Sequence, residues 1–417
     1  MNDIANIDKT LRAVRPKAVA ALLRYFRDLD TAEEAYQEAC LRALTKWPEN
    51  GPPRDPAAWL IFVGRNSALD GVRRASKLQA LPDEAAISDL EDAEAAMAER
   101  LDTADYKDDI LRLLFVCCHP DLPKVQQIAL ALRIVSGLSV KQIARAFLVG
   151  ERAMEQRITR AKRRIAEAEV AFETPSAADR TERLAAVAAM LYLVFNEGYS
   201  AAGENIAEGP KLCEEAIRLA RMLLTLFPAE PELMGLLALM LLQFSRSAAR
   251  FSADGKVILL EDQNRDLWNR DMIAEGLALI DKAMRHQAPG KYQIQAAIAG
   301  LHARACKPEE TDWAGVNALY EALERITPSP VITLNRAVAI SKLEGAEAAL
   351  ALVDPLVDAL SGYFYFHGVR GHFLKDLGRD EEARIAFNQA IALANTAAEA
   401  AHIRDQLDQL AARKTGG

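Results

Sequence analysis

Apolar residues Met154, Ile158, Ala161 and Ile165 recur at spacings of four, three and four. That is the period of one buried helix face. Between them stand Arg152, Glu155, Gln156, Arg157, Thr159, Arg160, Lys162, Arg163 and Arg164, so the remaining surface is polar and mostly cationic. Upstream, Ile143, Ala144 and Phe147 give a shorter apolar side, and Ser139 with Gln142 three residues on makes a capping-box pattern at its start. Leu148, Val149 and Gly150 separate the two segments, and Gly150 is able to take a left-handed conformation. The pattern predicts two helices joined by a tight turn, the arrangement of a helix-turn-helix with its recognition helix second.

Periodicity also orders the chain before this pair. Leu22, Leu23 and Phe26 form an apolar cluster, broken at Asp28-Leu29-Asp30-Thr31. Thr31 is placed to cap a new helix, with Glu34 at its third position. That helix turns Ala35, Ala39, Cys40 and Ala43 inward, with Tyr36, Leu41, Leu44 and Trp47 nearby. Glu33, Glu34, Gln37, Glu38 and Arg42 face outward and, with Asp30, make an acidic ridge. Such a ridge also complements a helix dipole. Proline and glycine fill 48–56, which predicts a loop. Over 57–76, Trp59, Leu60, Phe62, Val63, Leu69 and Val72 form a buried stripe opposite Arg65, Asn66, Asp70, Arg73 and Arg74. An aromatic-rich helix with a basic end suits phosphates and unstacked bases. A core helix with a cationic last turn has the same look.

Residues 81–109 carry eleven Asp or Glu against Arg100 and Lys107, which reads as a flexible acidic linker. A helix over 108–122 ends at Pro120, and another over 124–135 packs under the helix-turn-helix. After the 174–176 junction, helices are expected at 181–193, 212–227, 231–244 and 273–284, with a polar loop at 196–200. One hairpin is expected at 250–260, with Asp254-Gly255 in its turn. Small residues then repeat every thirty-four positions: Ala303 and Gly315, Ala337 and Ala349, Gly371 and Ala383. Leu319 and Ala322, Val353 and Leu356, and Phe387 and Ala390 follow them. That spacing belongs to stacked helix pairs of the tetratricopeptide type.

Composition narrows the classes. The chain has 417 residues, 51% apolar and 26% charged, so it is globular, with several domains and a mainly α fold. No apolar run approaches a membrane span and the first residues lack a signal-peptide core, so a cytoplasmic protein is expected. The net charge is -8, yet within 133–164 nine Lys or Arg stand against two Glu. That local excess marks a DNA-binding segment. Cys117-Cys118-His119 does not read as a metal site, because adjacent helical positions diverge by about 100°. The histidines are scattered, with no phosphate loop and no triad. Neither an enzyme, a metal nor a cofactor is expected.

Three of these motifs together resemble the extracytoplasmic-function (ECF) sigma factors of RNA polymerase. The stretch 32–43 looks like their core-polymerase-binding helix. Ala58-Trp59-Leu60, Arg65-Asn66 and 69–74 look like their promoter-melting helix. The stretch 137–164 looks like their sigma-four helix-turn-helix. The turn 150–155 departs from the family, which often has small residues, Thr-Val and a Lys there, so an unusual promoter preference is expected. The resemblance implies a sigma-two domain (10–77), an acidic linker (78–107), a sigma-four domain (108–172) and a C-terminal tetratricopeptide-like domain (178–413). It also implies RNA polymerase core, through its β-prime and β subunits, and promoter DNA as partners. Asp30, Glu33, Glu34, Gln37, Glu38 and Leu41 would face the polymerase. Arg65, Asn66, Asp70, Arg73 and Arg74 would act at the minus-ten element, and the 48–56 loop would sit where a flipped base is captured. Arg152, Glu155, Gln156, Arg157, Arg160, Lys162 and Arg163 would engage the minus-thirty-five element. The C-terminal domain would regulate the sigma domains by intramolecular contact or recruit a partner. The alternative is a conventional DNA-binding regulator with a ligand-sensing helical domain, which would lack the first two motifs.

Overall fold

The computed structural model describes residues 2–76, 103–119, 121–147, 149–167, 177–200, 209–252, 257–394 and 397–415. These are helical almost throughout, as the mainly α reading expected, and the chain divides into two units between residues 194 and 195.

In the first unit α1 (Asn2–Phe26), α2 (Leu29–Asn50) and α3 (Pro56–Ser76) pack on one another. Leu22, Leu23, Ala35, Tyr36, Ala39 and Leu60 fill the core, and the Trp47 and Trp59 rings meet at 5.4 Å. Gly64 permits the α2–α3 crossing, since a Cβ there would stand 2.9 Å from the Ala35 carbonyl oxygen. Two details differ from the expectation. Asp28, not Thr31, caps α2: its carboxylate accepts from the Thr31 amide at 2.7 Å and from the Thr31 hydroxyl at 2.6 Å. A carboxylate also meets the positive end of the helix dipole, which a hydroxyl cannot do as well. And α2 runs through Pro48, closing with the Gly51 amide on the Trp47 carbonyl, so the loop shrinks to 51–55.

Residues 77–102, which hold most of the expected acidic linker, lie outside the described residues; its last part is not linker, because α4 (Thr103–Cys117) begins at Thr103 and packs on α1. Then α5 (Lys124–Ile134), α6 (Val140–Ala146) and α7 (Glu151–Glu167) pack together as a trio. Cys117 and Cys118 are buried, and burial pushes the Cys118 thiol up to about 12. Among the described residues no group of three or more His, Cys, Asp or Glu is placed to hold a metal ion. Nor is any described helix long and apolar enough to cross a membrane.

α8 (Ala177–Ser200) absorbs the expected 196–200 loop into its last turns. Phe195 stacks on Tyr199 at 5.4 Å, and Gly198 lets this turn press against the Gly209 carbonyl. Tertiary packing outweighs the loop-like composition there.

The second unit is built around α10 (Pro231–Phe244), which is buried on nearly every side. It packs against α9 (Gly209–Leu226), α11 (Arg270–Met284) and α12 (Lys291–Arg304). The N-terminus of α12 has no cap of its own at Gly290. Glu232 of α10 serves instead, its carboxylate accepting from the amides of Tyr292 and Gln293 at 3.2 Å each. The expected hairpin reduces to one antiparallel bridge, Phe251 with Val257, and its Asp254-Gly255 turn lies outside the described residues.

Helix pairs then stack in sequence. α12 packs on α13 (Trp313–Ile326), which packs on α14 (Pro330–Leu343), followed by α15 (Ala346–Val353). After the short α16 (Val357–Leu360), α17 (Phe364–Asp376) pairs with α18 (Asp380–Leu393), and α19 (Ala397–Thr415) closes the stack. The small residues of the repeat lie at the crossings: Ala337, Ala349 and Ala383 have no exposed surface. A Cβ on Gly371 would meet the Phe387 ring at 2.6 Å. Of the aromatic run that opens α17, Phe364, Phe366 and His367 are buried, whereas Tyr365 is exposed.

His302 on α12 makes an edge contact with Trp313. Burial, then the charges of Arg246 and Arg265, pull its pKa down to about 4. Below the ordinary histidine range the unfolded chain takes up a proton that the folded unit refuses. The stability this unit draws from an uncharged His302 is therefore fully present above about pH 6.5 and falls as the pH drops toward 4, by at most about 3 kcal/mol. Urea titrations at a series of pH values should show that fall, and His302→Phe should remove the His302 share, leaving that of His402, whose pKa burial also lowers.

Candidate nucleic-acid interface

The helix-turn-helix is assembled from local bonds. The Ser139 hydroxyl accepts from the Gln142 amide at 3.2 Å, and the Gln142 side chain accepts from the Ser139 amide at 2.9 Å, completing the expected capping box. The turn closes through the Val149 amide on the Ala144 carbonyl and the Met154 amide on the Gly150 carbonyl. Gly150 does not take the left-handed conformation; Gly137 does, at φ 71°, where the chain leaves α5. The turn needed a helix-starting residue at 150, not a reversal.

Met154, Ile158, Ala161 and Ile165 are all buried, as their spacing requires. Arg152, Glu155, Gln156, Arg160 and Arg163 stand in solvent and Arg157 is half-buried. Arg163 is tied to Glu167 at 2.7 Å on the same face. The exposed guanidinium groups of Arg152 and Arg160 suit phosphates or guanine edges, while Glu155 and Gln156 offer shorter polar groups for base edges.

α3 begins where the Asp55 carboxylate accepts from the amides of Ala57 and Ala58 at 3.0 Å each. Trp59, Leu60 and Val63 of its expected stripe are buried and Phe62 is half-buried, the Arg65 guanidinium lies 4.0 Å over the exposed Tyr25 ring, and Asn66 is exposed. Asp70, Arg73 and Arg74 belong to the same helix, but their side chains lie outside the described residues.

On α2 the expected ridge is only partly a ridge. Glu34 and Gln37 are exposed, Leu41 is 61% exposed, and Glu38 is tied to Arg42 at 3.4 Å. Glu33, expected outward, is 4% exposed. Three cations converge on its carboxylate: Arg15 at 3.4 Å, Arg133 at 3.1 Å and Lys162 at 2.8 Å. Gln37 donates to it at 3.3 Å, and the Lys162 ammonium also reaches Asp30 at 2.6 Å. Burial alone would pull the Lys162 ammonium down, but hydrogen bonds and charge from Asp30 and Glu33 outweigh it and raise its pKa. Arg15 also donates to the Ile134 carbonyl at 2.9 Å and lies over the Tyr36 ring. Lys162, Arg133, Glu155 and Thr159 line one groove with Asp30. The sequence therefore spreads Glu33 and Lys162 over two separate binding faces, and the fold joins them. Arg15 and Arg133 carry no local sign of this role, because the group they pair with lies 18 and 100 positions away.

Comparison with known proteins places these elements. Residues 10–78 match the family described as Sigma-70 region 2, and residues 112–165 match Sigma-70, region 4. Residues 183–284 match a family of unknown function, DUF6596. The first two define the class of protein: a sigma-70-type transcription initiation factor with a helix-turn-helix, not an enzyme, whose domains imply RNA polymerase core and promoter DNA as partners. The chain is 68% identical over 412 residues to "Uncharacterized protein R00370" of Rhizobium meliloti (strain 1021), covering 99% of this chain and 97% of that one, and it belongs to the same family. It is also 28% identical over 169 residues to "Probable ECF RNA polymerase sigma factor SigI" of Mycobacterium tuberculosis, in strains CDC 1551 / Oshkosh and ATCC 25618 / H37Rv. That likeness spans 40% of this chain and 57% of SigI.

Proposed function

We propose that the protein is an ECF-type sigma factor that directs promoter-specific initiation in the cytoplasm. Region 2 binds the β-prime subunit through the exposed side of α2, with Glu34, Gln37, Glu38 and Leu41 as contacts, and opens the minus-ten element with α3. Region 4 reads the minus-thirty-five element with the outer face of α7 and lies against the β subunit. The observation that carries this reading is α7 itself: four buried apolar residues set a cationic surface outward behind a capped helix and tight turn. The likeness to SigI across the same part of the chain supports it.

The stacked pairs of the second unit support a tetratricopeptide-like domain, because Gly371 and the buried alanines recur at that repeat's close-contact positions. Such stacks offer an extended surface for a peptide or another domain, which fits regulation or recruitment.

Run-off transcription with purified core polymerase on the gene's own upstream region tests the proposal. The full-length protein should yield a discrete promoter-dependent transcript and co-elute with core. Absence of both would leave a conventional DNA-binding regulator. The same assay with the chain cut after Phe172, which removes α8 together with the second unit, shows whether the part of the chain beyond region 4 restrains or supports activity.

A further inference from the structure

We propose that residues 246–268 are a built-in occupant of the second unit's binding face: they lie where an extended partner segment binds, and give way to it. This deepens the tetratricopeptide-like reading above and rests on it.

Connectivity sets the segment apart. α10 ends at Phe244 and α11 begins at Arg270. The chain between them leaves and returns to one point, where the Asn269 amide donates to the Ser245 carbonyl at 2.8 Å. Residues 247–249 also pack against 265–267. A short turn would join the two helices equally well, yet twenty-three residues stand there. Connections between packed helices are mostly about 2–8 residues long, and much longer ones are usually functional.

The excursion runs to helices far along the stack. Arg265 donates to the carbonyls of His302 and Ala305, at the carboxyl end of α12, at 2.7 and 2.6 Å. A cation there also meets the negative end of the helix dipole. Glu261 pairs with Lys342 of α14 at 2.7 Å. Burial lowers the pKa of His402 on α19, and Asp262 is among the carboxylates near enough to oppose that. The charge of Arg250 reaches Tyr365 of α17, opposing the partial burial that raises the pKa of its hydroxyl. α12, α14 and α17 carry Ala303, Ala337 and Gly371, the first-helix positions of three successive pairs. One segment thus crosses the first helices of neighbouring pairs, which is the course of an extended peptide bound along a stack.

The way the segment is held makes it displaceable. Among its described residues only Ala249, Gln263, Arg265 and Trp268 are buried. Its long-range bonds are ionic and polar, so it opens at far lower cost than the apolar α10. Gln263 Oε1 and Arg265 Nε are buried with no hydrogen-bond partner among the described residues. Groups left so are unfavourable, and displacement returns both to water. The partner's chemistry follows from the contacts it replaces: an extended chain with a carboxylate opposite Lys342 and a cation at the carboxyl end of α12.

The test uses the full chain with residues 250–267 replaced by a Gly-Gly-Ser turn, which keeps Ser245, Ala249 and Trp268. Followed by fluorescence anisotropy, a labelled peptide of residues 250–267 should bind this variant at about 10 µM and wild type about 100-fold more weakly, because the tethered copy competes at about 1 mM. A peptide carrying Glu261→Lys and Arg265→Ala should lose at least about tenfold, having lost its charge-assisted bonds. If the shortened chain shows no cooperative thermal unfolding, the full-length Arg250→Ala, Glu261→Lys, Arg265→Ala variant takes its place. With its own copy loosened, it should bind the wild-type peptide at least about tenfold tighter than wild type does. A folded variant that binds the peptide no tighter than wild type overturns the proposal. Binding is read without polymerase or promoter. If it fails while the cut after Phe172 still alters run-off transcription, the second unit keeps its role and only the occupant falls.

Discussion

Replacing Arg152, Arg160 and Arg163 together by Gln should weaken promoter binding by the holoenzyme about 500-fold at 0.1 M salt, with almost no difference at 1 M. The figure follows from counterion release. Each phosphate contact contributes about 0.9 to the slope of log affinity against log salt, so three lost contacts remove about 2.7 from it over one decade. All three side chains are exposed on α7, and its buried stripe does not involve them, so the fold should be unaffected. Arg163 gives up an exposed pair with Glu167, a loss of small consequence. Gln156→Ala provides the contrast. A residue that reads a base edge should cost about 1–3 kcal/mol of discrimination at one promoter position and leave the salt slope unchanged. The measurement is holoenzyme binding to the promoter across a salt series, with matched and mismatched minus-thirty-five sequences. An unchanged slope in the triple variant would remove α7 as the phosphate-contacting face.

The features legible in the sequence are those whose cause is local. The α7 stripe, the Ser139–Gln142 box and the all-buried α10 follow from side chains a few positions apart. Close helix crossings admit only small residues, as Gly371 against Phe387 shows, which is why the spacing of small residues marks where helices approach. Local competition explains the misplaced cap of α2: Asp28 and Thr31 are both good cap residues, three positions apart, and the fold uses one to bond the other. The burial of Glu33 was not legible. On a helix surface it reads as a solvated acid, and only cations at positions 15, 133 and 162 make its burial tolerable. The same holds for Glu232, whose task is to cap a helix that begins about sixty residues later. Sequence periodicity sees which face of a helix is apolar; it does not see which charged residue the opposing helix will require.

That dependence on distant partners gives the second unit a sensitive position. Gly235→Val should unfold this unit in conditions where the wild type is stable. A Cβ at 235 would lie 2.5 Å from the Gln293 amide nitrogen and 2.8 Å from its Cα, so the obstruction is backbone, not a side chain that can swing away. To make room, α10 and α12 must separate. The Glu232 bonds to Tyr292 and Gln293 are already 3.2 Å long, and a shift of about an ångström would carry them beyond hydrogen-bond range. The first amides of α12 would then be buried without acceptors, which adds to the overpacking cost. Together these should exceed about 3 kcal/mol, enough to lower a urea midpoint by about 1 M or more. Gly235→Ala should fall between Val and wild type. Gly362→Ala, where an added Cβ meets nothing within 4 Å, should be nearly neutral. Urea unfolding of the full chain, with the first unit's transition as internal reference, checks all three. If the valine variant unfolds at the wild-type midpoint, the α10–α12 crossing is not the centre on which the second unit is built.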